Sequence, residues 1–157
     1  MNPFVRIALA GAFLLLTSVA PARAAAPTFG TFPVHEGFEG PVHPVRLLSK
    51  QDKEFQTALA DAASRSANFA GHYVLTTIGC GASCVLVAAI DATSGRVAWL
   101  PFNLCCWDPA LTAPVLFRLD SDLIIVHGQR NEAGGAGPHY YRLTKNHFVQ
   151  VHSTPPH

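Results

Sequence analysis

The sequence predicts an α+β fold: one antiparallel β-meander sheet of about six to seven strands, with one N-terminal helix packed on it. Two observations carry this. Only residues 50–64 repeat apolar side chains at helical spacing. From His72 onward the chain is a series of short β-branched and aromatic runs joined by links of a few residues. Strands so linked pair antiparallel, because a parallel crossover needs about a dozen residues.

The elements follow in chain order. Arg6, an uncharged apolar run over residues 7–20 and the small-x-small step Ala22-Arg23-Ala24 read as a secretory signal peptide, residues 1–24. The run is short for a membrane span of about 20 apolar residues, and no stable membrane insertion is expected after cleavage. Residues 25–48, rich in Pro, Gly and Phe, show no period and read as an extended arm held down by Phe29, Phe32 and Phe38. Residues 49–157 form a single α+β domain. Within it, Ser49 with Asp52 three residues on resembles a capping box, Asp standing where Glu or Gln is usual. Phe55, Ala58, Leu59, Ala62 and Ala63 then give the helix one apolar face.

Strands are expected over residues 72–78 and 85–90, with a turn at 91–96 and a return at 97–100. Residues 115–119 and 123–127 flank a tight hairpin at Asp120-Ser121-Asp122. Residues 139–143 and 148–151 flank another at 144–147. The whole chain has a formal charge of +1. Losing Arg6 and Arg23 with the leader takes the mature chain to −1, without a basic run or stripe. Nucleic acid therefore has no electrostatic footprint here.

Four cysteines, Cys80, Cys84, Cys105 and Cys106, remain after signal cleavage. In an oxidising compartment an even number favours disulfides. Extending the register of the 91–96 turn places Ala82 across from Cys105, so the Cys80–Cys84 loop and the Cys105–Cys106 step are expected to be neighbours. Two pairings fit. Cys80 closes on Cys84 and leaves Cys105 and Cys106 as a vicinal pair or partly free, or each of Cys80 and Cys84 joins one of the adjacent pair. The second needs an irregular backbone at residues 104–107, because consecutive strand side chains point to opposite faces. The first is preferred. A thioredoxin-type redox pair wants C-x-x-C at a helix N-terminus, not C-x-x-x-C between two strands. In a zinc site the adjacent Cys105 and Cys106 would ligate one tetrahedral ion awkwardly, since typical ligand pairs lie two to four residues apart.

Eight histidines are scattered, among them His35 and His43 in the arm and His72, His127 and His139 at strand ends. They read as solvated or hydrogen-bonded surface groups, since no metal-ligand spacing occurs. No nucleophile elbow, P-loop or dinucleotide fingerprint is present, so no catalytic residue and no cofactor are expected. Asp91, Asp120 and Asp122 sit in turns, where side-chain to backbone hydrogen bonds are the usual role. Two loops are candidate partner-binding surfaces. One is Gly79, Gly81, Ala82 and Ser83 around the first two cysteines, where glycines permit close approach by a partner backbone. The other is Arg130, Asn131 and Glu132, in the longest polar excursion of the chain, residues 128–138.

Asn68-Phe69-Ala70-Gly71-His72-Tyr73, Gly79-Cys80-Gly81-x-x-Cys84, Asp91-x-x-x-Gly95-x-Val97 and Tyr140-Tyr141 resemble a family of small exported bacterial proteins without an assigned activity. The resemblance covers residues 68–151. It implies periplasmic or secreted residence and a shared fold, and no reaction. The layout is also similar to that of the periplasmic inhibitors of vertebrate lysozyme. These place a helix before an antiparallel sheet and project a disulfide-closed loop into an enzyme's active site. Cys80 and Cys84 match the loop-closing cysteines by position, but that loop is longer and carries a histidine, which Gly81-Ala82-Ser83 lacks. The function expected is therefore an exported, non-enzymatic binding or inhibitor-like protein. It would act in the cell envelope through the Cys80–Cys84 loop, on a protein or a cell-envelope glycan. The alternative is a thiol-redox or metal-binding periplasmic protein using Cys80, Cys84, Cys105 and Cys106.

Overall fold

A computed structural model describes residues 25–153 of the chain. The signal peptide expected over residues 1–24 lies outside the described residues. Among those described, no helix is long and apolar enough to cross a membrane.

The helical segment starts where the capping chemistry places it. Ser49 Oγ accepts from the Asp52 amide at 3.0 Å, and the Asp52 carboxylate accepts from the Ser49 amide at 2.7 Å. The segment is two helices, α1 (Lys50–Glu54) and α2 (Gln56–Ala63), interrupted at Phe55, whose backbone leaves the helical region. Leu59 and Ala62 are fully buried on one face, as the apolar period requires.

The strands are β1 (Tyr73–Gly81), β2 (Cys84–Asp91), β3 (Val97–Trp99), β4 (Leu104–Cys105), β5 (Val115–Phe117), β6 (Leu123–Val126), β7 (Gln129–Arg130), β8 (His139–Thr144) and β9 (His147–Ser153). They do not form the single meander that the hairpins suggest. They divide into a five-stranded sheet, with path β1-β2-β4-β7 and β3 also on β2, and a four-stranded sheet in the order β5-β6-β8-β9. All pairings are antiparallel.

The division has a local cause. The register of the 91–96 turn runs true through Ala88↔Trp99 and then slips by two residues, so that Cys84 faces Cys105 and Val85 faces Leu104. Pro101 lies in the slipped stretch and has no amide to give the ladder. After β4 the chain crosses to build β5 and β6, returns as β7 to pair with β4, and crosses again to β8 and β9.

Two apolar clusters hold these layers. The larger joins Phe69, Leu75, Val87, Ala89 and Leu104 from the first sheet and its flanks to Val115, Ile124, Val126, Tyr141 and Phe148 from the second. The smaller packs Leu59 and Ala62 of α2 on Val74, Ala88 and Ile90. The order of layers is helix, five-stranded sheet, four-stranded sheet. Alternation along β2 decides this, since 87 and 89 face one cluster while 88 and 90 face the other.

The arm, residues 25–48, is pinned chiefly by backbone. Val34 donates to Asp120 O, Phe38 to Gly71 O, His43 to Ala92 O and Arg46 to Gly95 O, at 2.8–2.9 Å. Gly71 and Gly95 have φ of +76° and +70°. A Cβ at either would collide with an arm carbonyl, that of Glu36 or Pro44. Phe32 lies under the Arg142 guanidinium, 4.7 Å from its ring centroid. Beside this contact, the fully buried Ser121 hydroxyl donates toward Phe29 O and Phe32 O.

Candidate functional site

The β1–β2 hairpin ends in a two-residue turn, Ala82-Ser83. Gly81 and Ser83 both have positive φ. The register shifts between Gly79, which faces Val85, and Gly81, which faces Cys84, leaving Cys80 as the extra residue of a bulge. A bulge re-aims its side chain. Here it brings Cys80 to Cys84, with Sγ atoms 1.95 Å apart, at disulfide distance, and Cα atoms 5.1 Å apart. Residues 79–83 are exposed. A Cβ added at Gly79 or Gly81 would meet nothing within 4 Å. The tip therefore stands clear of the body and is closed at its base.

That base meets the other two cysteines. Cys84 is directly opposite Cys105, and Cys105 is in turn opposite Gln129. The two loops singled out in the sequence thus reach the same end of the five-stranded sheet through β4. Cys105 is buried and Cys106 exposed, and neither is in a disulfide. Their Sγ atoms are 2.7 Å apart. In regular strand they would point to opposite faces, but Cys106 has a φ of +55°, which breaks the alternation and turns the second thiol toward the first. The hydrogen bond from Cys106 and burial push the Cys105 thiol above its ordinary range. The Glu132 carboxylate acts in the same sense, against a hydrogen bond from the Glu132 backbone.

Arg130 and Asn131 are bound into the scaffold. Arg130 Nη1 donates to Tyr141 Oη at 2.9 Å and to Gln150 Oε1 at 3.1 Å, and its guanidinium lies 5.9 Å from the Phe102 ring centroid. Asn131 Oδ1 accepts from the Asn103 amide and its own amide donates to Asn103 O, both at 3.0 Å. Asn131 and Glu132 are exposed and left-handed, with φ of +51° and +62°. Phe102 and Asn103, which seat this loop together with Tyr141, were not among the residues the sequence singled out. The only signal for Phe102 and Asn103 was their place directly after Pro101, whereas Tyr141 stood in the Tyr140-Tyr141 motif.

Other expectations divide. Asp91 makes the turn bonds expected of it, accepting from the Thr93 amide and from the hydroxyls of Thr93 and Ser94 at 2.6–2.8 Å. Asp120 and Asp122 instead pair with Arg118 and Arg142. His139 is no surface group. It is 3% exposed, with Nε2 3.0 Å from Gly135 O. Burial, with the nearby His139, lowers the pKa of His127. Among the described residues, no three His, Cys, Asp or Glu side chains converge as a metal-ligand set. A groove of about 640 Å³ lies elsewhere, between the arm and α2, against Val42, Val45, Ala60 and Ala63.

Comparison with protein-family models finds no match, and neither a curated protein nor a solved structure matches the chain.

Proposed function

We propose that this is an exported, non-enzymatic binding protein of inhibitor-like design, which docks the Cys80–Cys84 tip into a partner of the cell envelope. The observation that supports this reading is the tip itself, an exposed two-residue turn on a bulged hairpin, closed at its base by a cysteine pair. Its side chains are small, so it offers backbone amides and carbonyls to a cleft. Closure restricts the free loop and lowers the ordering cost of binding. A cleft that accepts an extended polar chain, in a glycan-cleaving enzyme or along an envelope glycan, suits such a probe. The test uses the full mature chain in two assays, inhibition of vertebrate lysozyme on cell walls and co-sedimentation with purified peptidoglycan. Activity in either, lost in Ala82→Arg, is expected. Failure in both removes the reading.

A second reading, thiol chemistry, is favoured by one specific arrangement. Two unbridged thiols 2.7 Å apart lie next to the cysteine bridge of the tip.

A further inference from the structure

The four cysteines occupy three adjoining positions, the bulge at Cys80, its bonded neighbour Cys84, and the β4 step Cys105-Cys106. Cys84 has two potential partners of comparable placement. Cys80 is bonded to it across the hairpin, and Cys105 is directly opposite it in the ladder. Directly opposed residues of an antiparallel pair have Cβ atoms about 4.5–5.5 Å apart and on the same face. Disulfide Cβ separations run to about 4.5 Å, so a small approach of β4 closes the gap. A two-residue strand such as β4 has few ladder bonds to resist it.

We propose that Cys105 is an internal exchange partner of the Cys80–Cys84 disulfide, so that the tip has a closed and an opened form. The Cys105 thiolate attacks Cys84 Sγ. The Cys84–Cys105 bond forms as the Cys80–Cys84 bond breaks, and Cys80 leaves as a thiolate that takes up the proton Cys105 gave to solvent. One disulfide and two thiols are present before and after, so no outside oxidant or reductant enters. The opened form staples β2 to β4 and frees the thiol at the exposed bulge. Cys80 is then the group that meets an external disulfide, on a small molecule or another exported protein, by the same displacement chemistry. Cys106 stays outside the bridge, hydrogen-bonded to Cys105 in the closed form. The raised Cys105 thiol makes the exchange faster at alkaline pH, where more of it is thiolate.

The inference deepens the thiol reading and is independent of partner capture, so a protein that inhibits nothing still undergoes it. Full mature chain is held at pH 7 and pH 9 without redox reagents, acid-quenched, alkylated with N-ethylmaleimide and digested without reduction for mass spectrometry. The expected result is a Cys84–Cys105 linked peptide beside the Cys80–Cys84 one, reached faster at pH 9. Absence of that peptide at both pH values overturns the exchange. The Cys80→Ser/Cys106→Ser variant, treated with the aromatic disulfide DTNB, tests the geometry beneath it. Release of two thionitrobenzoates with a Cys84–Cys105 bridge is expected in native protein and not in urea. Two stable adducts in the native protein would overturn it.

Discussion

The Trp99 indole N–H donates to Asp52 Oδ1 at 2.8 Å, across 47 positions of sequence. The same carboxylate accepts from the amides of Leu48 and Ser49. One side chain therefore caps α1 and ties it to β3, and Phe55 adds a ring contact with Trp99 at 5.7 Å. Burial opposes the charge of Asp52, but the bonds from Trp99, Ser49 and Leu48 outweigh it, and the pKa is held below 3.8.

Asp52→Ala is expected to cost about 2 kcal/mol at neutral pH, by loss of a cap and of the partner of a half-buried indole. A carboxylate whose folded pKa is depressed contributes stability above its unfolded pKa and loses it as pH falls through the folded value. The gap between wild type and variant should therefore narrow as melts are moved from pH 7 to pH 3. A gap that stays constant would place the effect in packing.

Gly95→Ala should loosen the arm. The change puts a side chain at φ +70°, where its Cβ meets the Pro44 carbonyl. We expect a loss of about 1–3 kcal/mol from the backbone strain alone. The signature is faster hydrogen exchange at the amides of His43 and Arg46, which bond to Ala92 O and Gly95 O. Unchanged protection at those two amides would contradict the pinning.

Replacing both Cys80 and Cys84 by Ser should lower stability by about 2 kcal/mol or less, since the loop is short and a bridge gains with the length it closes. Exchange should rise at residues 79–85 before it rises elsewhere. An identical melting curve would show that the bridge holds nothing.

His127→Gln should flatten the stability curve on the acid side of about pH 6.5. Burial, reinforced by His139, favours the neutral ring of His127. A histidine with a lowered folded pKa gives its full contribution above its unfolded value of about 6.5 and loses it as pH falls below. Urea titrations across this window measure the slope, and a variant curve parallel to wild type would refute the assignment.

Legibility followed distance along the chain. The Ser49–Asp52 cap and the turn at Asp91 could be read because their bonds span three residues or fewer. The β5–β6 and β8–β9 hairpins were legible for the same reason. The partition into two sheets was not, because β4 and β7 are two residues each and carry no period to detect. The Pro101 slip then moved Cys84, not Ala82, to face Cys105. His139 looked like a strand-end surface group, yet its strand lies in the second sheet beside Val126, a neighbour that only topology supplies. Asn68-Phe69-Ala70-Gly71, prominent as a motif, proves to be scaffold. The Asn68 amide pairs with both backbone groups of Leu75 in place of a strand, and Phe69 is fully buried.

The two-residue visit that β7 pays to the first sheet, between β6 and β8 of the second, interleaves the layers in time as well as in space. A nascent chain cannot finish either sheet and then begin the other, because β7 must find β4 while β8 is still unplaced. Both sheets should therefore mature and melt as one cooperative unit, with a single calorimetric transition. A fragment cut between β6 and β7 should keep neither layer, because it takes β7 from the first sheet and both β8 and β9 from the second.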